Sequence, residues 1–168
     1  MNLSALCHAI HADNVERGWW TDLATGQPIL ATRNRPEMMM LAVSEIAEAW
    51  QANGPDDKLP QYDGYRVEIA DCFIRLADLL GAEGVRDADF SAANTDLLGA
   101  QGVVIYISNA LEAYRKTRLE EYRANLCAAL LLSYELTTME IIEAKRQYNA
   151  TRADHSLAAR RAEGGKKI

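Results

Sequence analysis

The chain has 168 residues, with 18 Lys and Arg against 24 Asp and Glu for a net charge of -6, and 49% hydrophobic against 25% charged residues. This profile excludes an intrinsically disordered chain, and the acidic balance excludes a nucleic-acid polymer as ligand, because neutralising phosphates needs concentrated Lys and Arg. Two separately packed halves of about 85 residues would bury proportionately less surface, so one domain over 1–168 is expected.

Apolar residues recur at three and four rather than at two, which predicts an all-α fold built as an antiparallel helical bundle. The opening, MNLSALCH, lacks the cationic patch and long apolar stretch of a secretion signal, and no apolar run reaches the ~18 residues of a membrane span, so a cytoplasmic protein without membrane attachment is expected. A first helix is predicted over 3–15. The stretch ERGWWTDLATGQPILATRNRP at 16–36 holds two prolines, two glycines and two adjacent tryptophans, and a loop of this length in a small domain usually serves function. Pro36 suits the first turn of a second helix, EMMMLAVSEIAEAWQA at 37–52, which is apolar around most of its circumference and is expected to be buried.

The connector QANGPDDKLPQYDG has turn chemistry and little to bury, and reads as a mobile surface loop. A third helix is predicted over 65–80, with Gly81 as its C-terminal stop. Residues 82–100 are weakly patterned. From Gln101 onward two or three helices follow, with a break near 115–118 or at Ser133. Residues 152–168 carry five basic and two acidic side chains, a net of +3, which leaves -9 for the first 151 residues; the basic end, from about 156 to 168, reads as a flexible tail. Cys7, Cys72 and Cys127 are odd in number and widely spaced, so they read as reduced core residues.

Two pairs of carboxylates stand out. Glu45 and Glu48 lie at i and i+3 on the second helix, and Glu68 and Asp71 repeat that spacing on the third. A short connector makes the two helices antiparallel neighbours, so the four groups either converge on a divalent cation or mark solvated faces. Oxygen-only ligands suit Mg²⁺ or Mn²⁺, whereas Zn²⁺ prefers Cys or His. Lys145, Asn149 and Arg152 recur at i, i+4 and i+7 beside Tyr148; this is a grip for phosphate and sugar, or a set of cations drawn to a helix C-terminus. Trp19 and Trp20 either stack on a planar base or plug the core. His8, His11 and His155 share no ligand spacing, and no nucleophile elbow, P-loop or dinucleotide fingerprint is present.

Taken together, SEIAEAW at 44–50, VEIADCFIRLADLLG at 67–81 and KRQYNATRADH at 145–155 resemble the MazG-type all-α nucleoside triphosphate pyrophosphatases, whose signature is EExxE, a variable gap, then ExxD. Ser44 replaces the first Glu of the doublet. The resemblance covers roughly 10–81 and 140–168, and implies that about 85–135 is an extra helical segment inserted before the C-terminal helix. It implies Glu45, Glu48, Glu68 and Asp71 as Mg²⁺ ligands, with Glu45 or Glu48 acting on the attacking water. Lys145, Tyr148, Asn149 and Arg152 are implied as substrate contacts, and Trp19, Trp20 and Asn14 as neighbours of the base. The implied reaction cleaves a nucleoside triphosphate between its α- and β-phosphates. Relatives of this kind form homodimers or homotetramers, and LCAALLL at 126–132 is expected at such an interface. The competing expectation is a non-catalytic helical module that binds nucleotide or another protein.

Overall fold

The computed structural model describes residues 2–162 as an all-α chain. Its helices are α1 (Leu3–Glu16), α2 (Arg35–Gln51), α3 (Gly64–Ala82), α4 (Asp87–Ser91), α5 (Gly99–Arg115), α6 (Leu119–Leu136), α7 (Met139–Thr151) and α8 (Leu157–Arg161). No strand occurs among the described residues, and two isolated bridges, Thr21 with Pro28 and Pro55 with Asp63, close loops. Helix starts follow local chemistry: the side chains of Asn2, Asn34, Asp63 and Thr138 each accept from the backbone N–H three residues on.

α3 is the axis of the molecule, packing against α1, α2, α6 and α7. Val67, Ile69, Ala70, Cys72, Phe73, Leu76, Ala77, Leu79 and Leu80 are all buried, which is the pattern of a helix covered on most sides. Gly81 does not stop this helix. A Cβ there would run into the Cys7 carbonyl oxygen and lie 2.6 Å from His11 Cβ, so the missing side chain is what lets α1 approach. The stop is Gly84 at φ +67, where Val85 N–H donates to Leu80 O and Gly84 N–H to Gly81 O in a Schellman arrangement.

α2 runs antiparallel to α3 but is less enclosed than its composition suggests. Met38, Met39, Ala42, Ile46 and Ala49 are buried, while Met40 and Trp50 are more than half exposed on the opposite side. The connector between the two helices is folded rather than loose: Asp56 is buried, its Oδ1 accepts from the N–H groups of Lys58 and Leu59, and Asp56 N–H donates to Tyr62 O.

The segment expected as an insertion is α4, α5 and α6. α5 ends at a turn through Thr117 (φ 56), within the break foreseen at 115–118. The second break falls at Thr137–Thr138 instead of Ser133, which is buried in α6 with its hydroxyl donating to Leu130 O. Leu126, Cys127, Ala128, Ala129, Leu130 and Leu132 are likewise buried within the chain, so all of LCAALLL but the half-buried Leu131 is core. Cys7, Cys72 and Cys127 are all buried free thiols.

The chain turns through 102° between α6 and α7, and Thr137 Oγ1 donates to Arg66 O at the corner, which swings α7 across α3. The basic end departs from the expected tail at its start: 157–161 form α8, and Arg160 is 1% exposed. Met1 and 163–168, with the rest of that tail, lie outside the described residues. No single helix is long and apolar enough to cross a membrane.

Candidate metal and nucleotide cleft

Along the seam of α2 and α3, with α7 and the 17–34 loop as walls, runs a cleft of about 350 Å³, within the range of small-molecule sites. Its floor follows from helical spacing. Met38, Leu41, Glu45 and Glu48 repeat along one face of α2, and Glu68, Asp71, Ile74, Arg75 and Asp78 along one face of α3. Because the helices are antiparallel, Glu48 meets Glu68 at one end and Met38 meets Asp78 at the other. Ten residues of α3 separate those ends, about 15 Å along the axis.

The first end is acidic. Glu45, Glu48 and Glu68 each bring a carboxylate oxygen within 4.8 Å of the other two. Glu45 is 4% exposed, and its pKa is pushed up to about 7 because burial disfavours the charge; Arg75 offsets part of this, and Asp71 and Glu48 add to it. Arg75 Nε donates to Glu45 Oε1 at 2.6 Å. The Glu68 carboxyl is also raised, first by burial and then by Asp71, Glu48 and Asp56, against the opposing pull of Lys145. Three carboxylates so placed could hold a metal ion. The donors are all oxygen, a set that hard divalent cations accept.

Asp71, expected as a fourth ligand, lines the same cleft but stands outside this group because α7 has taken it. Lys145 Nζ lies 2.8 Å from Asp71 Oδ2, and Asn149 Nδ2 donates to Oδ1 at 3.2 Å. Two of the three expected phosphate contacts are thus held in place by an acid. Burial alone would lower the Lys145 pKa, yet Asp71, Glu68 and Asp56 raise it overall, so the ammonium stays charged. Arg152 lines the cleft with its guanidinium on Asp154, at 3.0 and 2.6 Å. Tyr148 is not a lining residue; its ring centroid lies 5.9 Å from Lys145 Nζ and 6.0 Å from Arg152 Cζ. Ser44 Oγ donates back to Leu41 O on its own helix.

The second end is aromatic and basic, lined by Asn14, Arg17, Trp19, Trp20, Arg33 and His155. Trp20 is 3% exposed: it packs edge-on to His11, and both its Nε1 and His11 Nδ1 reach Asp78 Oδ1, at 2.9 and 2.8 Å. It is therefore a core plug whose edge reaches the cleft rather than an open stacking platform. Trp19 is half-buried, with the Arg160 guanidinium 3.7 Å from its ring centroid and His155 edge-on at 5.2 Å.

Reading the sequence found the acidic end, gave Arg75 and Asp78 only a place in the polar stripe of α3, and missed Arg33 and Arg160. Arg75 and Asp78 had a signal, since they continue the Glu68–Asp71 stripe at i+4 and i+7 from Asp71. Arg160 had none, because its contact reaches Gly18 O, 142 residues away in sequence. No protein-family model, curated protein or solved structure matches the chain.

Proposed function

We propose that this chain is a Mg²⁺-dependent nucleotide pyrophosphohydrolase, cutting an NTP or dNTP between its α- and β-phosphates to give the monophosphate and pyrophosphate. The observation that carries the reading is the meeting of Glu45, Glu48 and Glu68 within 4.8 Å at one end of a nucleotide-sized cleft. A bound divalent ion, Mg²⁺ or Mn²⁺, would supply charge neutralisation to the triphosphate oxygens.

The chain's own groups divide the remaining work. Arg75 fixes Glu45 through Oε1, which leaves Oε2 for a ligand role. Glu48 is exposed at the rim of the cleft and accepts from no side chain among the described residues, so it is the better placed of the two to orient a water and take its proton as that water attacks the α-phosphorus. Asp71 and Asn149 act as positioning residues: Asp71 holds the buried Lys145 ammonium charged beside the carboxylates, where it faces the phosphate chain. Arg152 and Asn149 complete that wall of the cleft. The apolar middle, Leu41 and Ile74, and then Met38 and Trp19 at the far end, take the sugar and base. Self-association belongs to the same proposal, with the exposed Met40 and Trp50 of α2 as the surface.

A second reading, a nucleotide-binding module without turnover, is favoured by two observations: Ser44 stands where the family signature has Glu, and Asp71 is held by Lys145 and Asn149. One assay separates the two. Purified protein with Mg²⁺ and a panel of NTPs and dNTPs should release pyrophosphate and monophosphate in equal amounts. Binding without pyrophosphate would leave the module, and release of orthophosphate and diphosphate would move the cut to the wrong bond.

A further inference from the structure

With a triphosphate anchored at Glu45, Glu48 and Glu68, as the hydrolase reading requires, the base reaches the far end of the cleft, about 15 Å away along α3. Arg33 stands there. It follows the turn closed by Arg33 N–H to Ile29 O and directly precedes Asn34, the N-cap of α2, so its backbone is fixed from both sides. Its neighbour Arg35 fixes it further, donating to Arg33 O at 3.1 Å while binding Glu83 and Leu30 O.

The two arginines differ in one respect. Both stand near the Trp20 ring, with Cζ 6.0 Å from its centroid for Arg33 and 5.6 Å for Arg35. Arg35 spends its guanidinium on protein acceptors. Arg33 Nε is buried and has no hydrogen-bond partner, and no carboxylate among the described residues pairs with it. The one carboxylate of the cleft at that end, Asp78, is taken by His11 and Trp20. A buried donor left empty is costly, and a guanidinium can only donate. At this end of the cleft the Arg33 guanidinium therefore has a buried donor that no acceptor among the described residues meets.

We propose that Arg33 is a specificity-determining residue that reads the acceptor-only edge of a 6-oxopurine, donating in a fork to O6 and N7 of guanine or hypoxanthine. The planar guanidinium matches two adjacent in-plane acceptors. Adenine places its N6 amino donor against the fork, and uracil or thymine offers one acceptor there, its two carbonyls being separated by the N3–H donor. A phosphate would also suit a guanidinium, but the polyphosphate is drawn to the opposite end by its metal.

The test compares kcat/KM for pyrophosphate release from GTP, ITP, 7-deaza-GTP and ATP by the natural chain, Arg33→Met and Arg33→Lys. The natural chain should favour GTP and ITP over ATP by about 10- to 100-fold, the range of one bidentate base contact. Removing N7 should cost the natural chain several-fold and Arg33→Met nothing, and Arg33→Met should bring the GTP to ATP ratio toward one, with Arg33→Lys between. A ratio near one in the natural chain, or equal loss for every base in Arg33→Met, overturns the proposal. Titration of GMP and AMP into metal-free protein, followed by tryptophan fluorescence, reads the same contact without hydrolysis. If no nucleotide is cleaved the hydrolase reading falls alone, and tighter GMP than AMP binding, lost in Arg33→Met, still upholds Arg33; equal or undetectable binding of both overturns it.

Discussion

Lys145 of α7 is 2% exposed, and its Nζ lies 2.8 Å from Asp71 Oδ2 of α3, so one buried ion pair fastens the last long helix to the central one beside the carboxylate group. Removing one partner strands the other charge, at a cost of about 3–5 kcal/mol. Lys145→Met should therefore lower the urea midpoint sharply. The double variant with Asp71→Asn should recover part of that loss, because neither charge is then left alone. Purely additive losses in that cycle would show that the pair carries no coupling.

Glu48 contrasts with that pair, since it is exposed and bonds to no side chain among the described residues. Glu48→Gln should leave the melting temperature in EDTA within about 2 °C of the natural chain. The rise in melting temperature on adding Mg²⁺ should vanish with it, and pyrophosphate release should fall by about 100-fold or more. An undiminished Mg²⁺ effect would remove Glu48 from the metal group.

Glu45 ties the metal site to pH. Its carboxyl sits at about 7 in the folded chain against 4.5 unfolded. Between those values the folded chain keeps a proton that the unfolded chain has lost, so this stabilisation is complete below pH 4.5 and disappears as pH rises through 7. Metal-free protein should lose stability over that window, by on the order of 3 kcal/mol from this group. Divalent binding needs the ionised form and should release a proton near pH 6.5, seen as a calorimetric heat that changes with the ionisation enthalpy of the buffer. Heats independent of the buffer would place the Glu45 proton elsewhere.

Gly81 and Gly84 separate two uses of glycine three residues apart. Gly81→Ala pushes a methyl against the Cys7 backbone and His11, and should cost about 1–3 kcal/mol by forcing α1 off α3. Gly84→Ala meets nothing within 4 Å and should cost only about 1 kcal/mol, through its φ of +67. Chemical denaturation of the two variants side by side gives the order; the reverse order would mean that α1 yields freely.

The first three helices and the pairing of α2 with α3 were legible because each follows from short-range rules, whereas α4 and α8 fell in stretches read as weakly patterned and as a tail. Glu45 and Glu48 on α2, and Glu68 and Asp71 on α3, each recur at a spacing of three that a 3.6-residue turn puts on one helical face. Gly81 was misread for the same reason: a glycine near a helix end looks like a stop until the opposing backbone is seen.

Sequence by itself thus determined which residues share a helical face, and so the acidic floor of the cleft. Only the folded chain decided which partner each of those residues meets. Asp71 belongs to Lys145 and Asn149, 74 and 78 residues on, Trp20 is a plug held by Asp78, LCAALLL is interior but for Leu131, and Arg160 lies beneath Trp19. Periodicity fixes direction around one helix axis, whereas charge pairing and burial depend on how distant helices cross. That crossing is set by the bend at Thr137–Thr138 and by the close approach at Gly81, neither of which leaves a periodic trace.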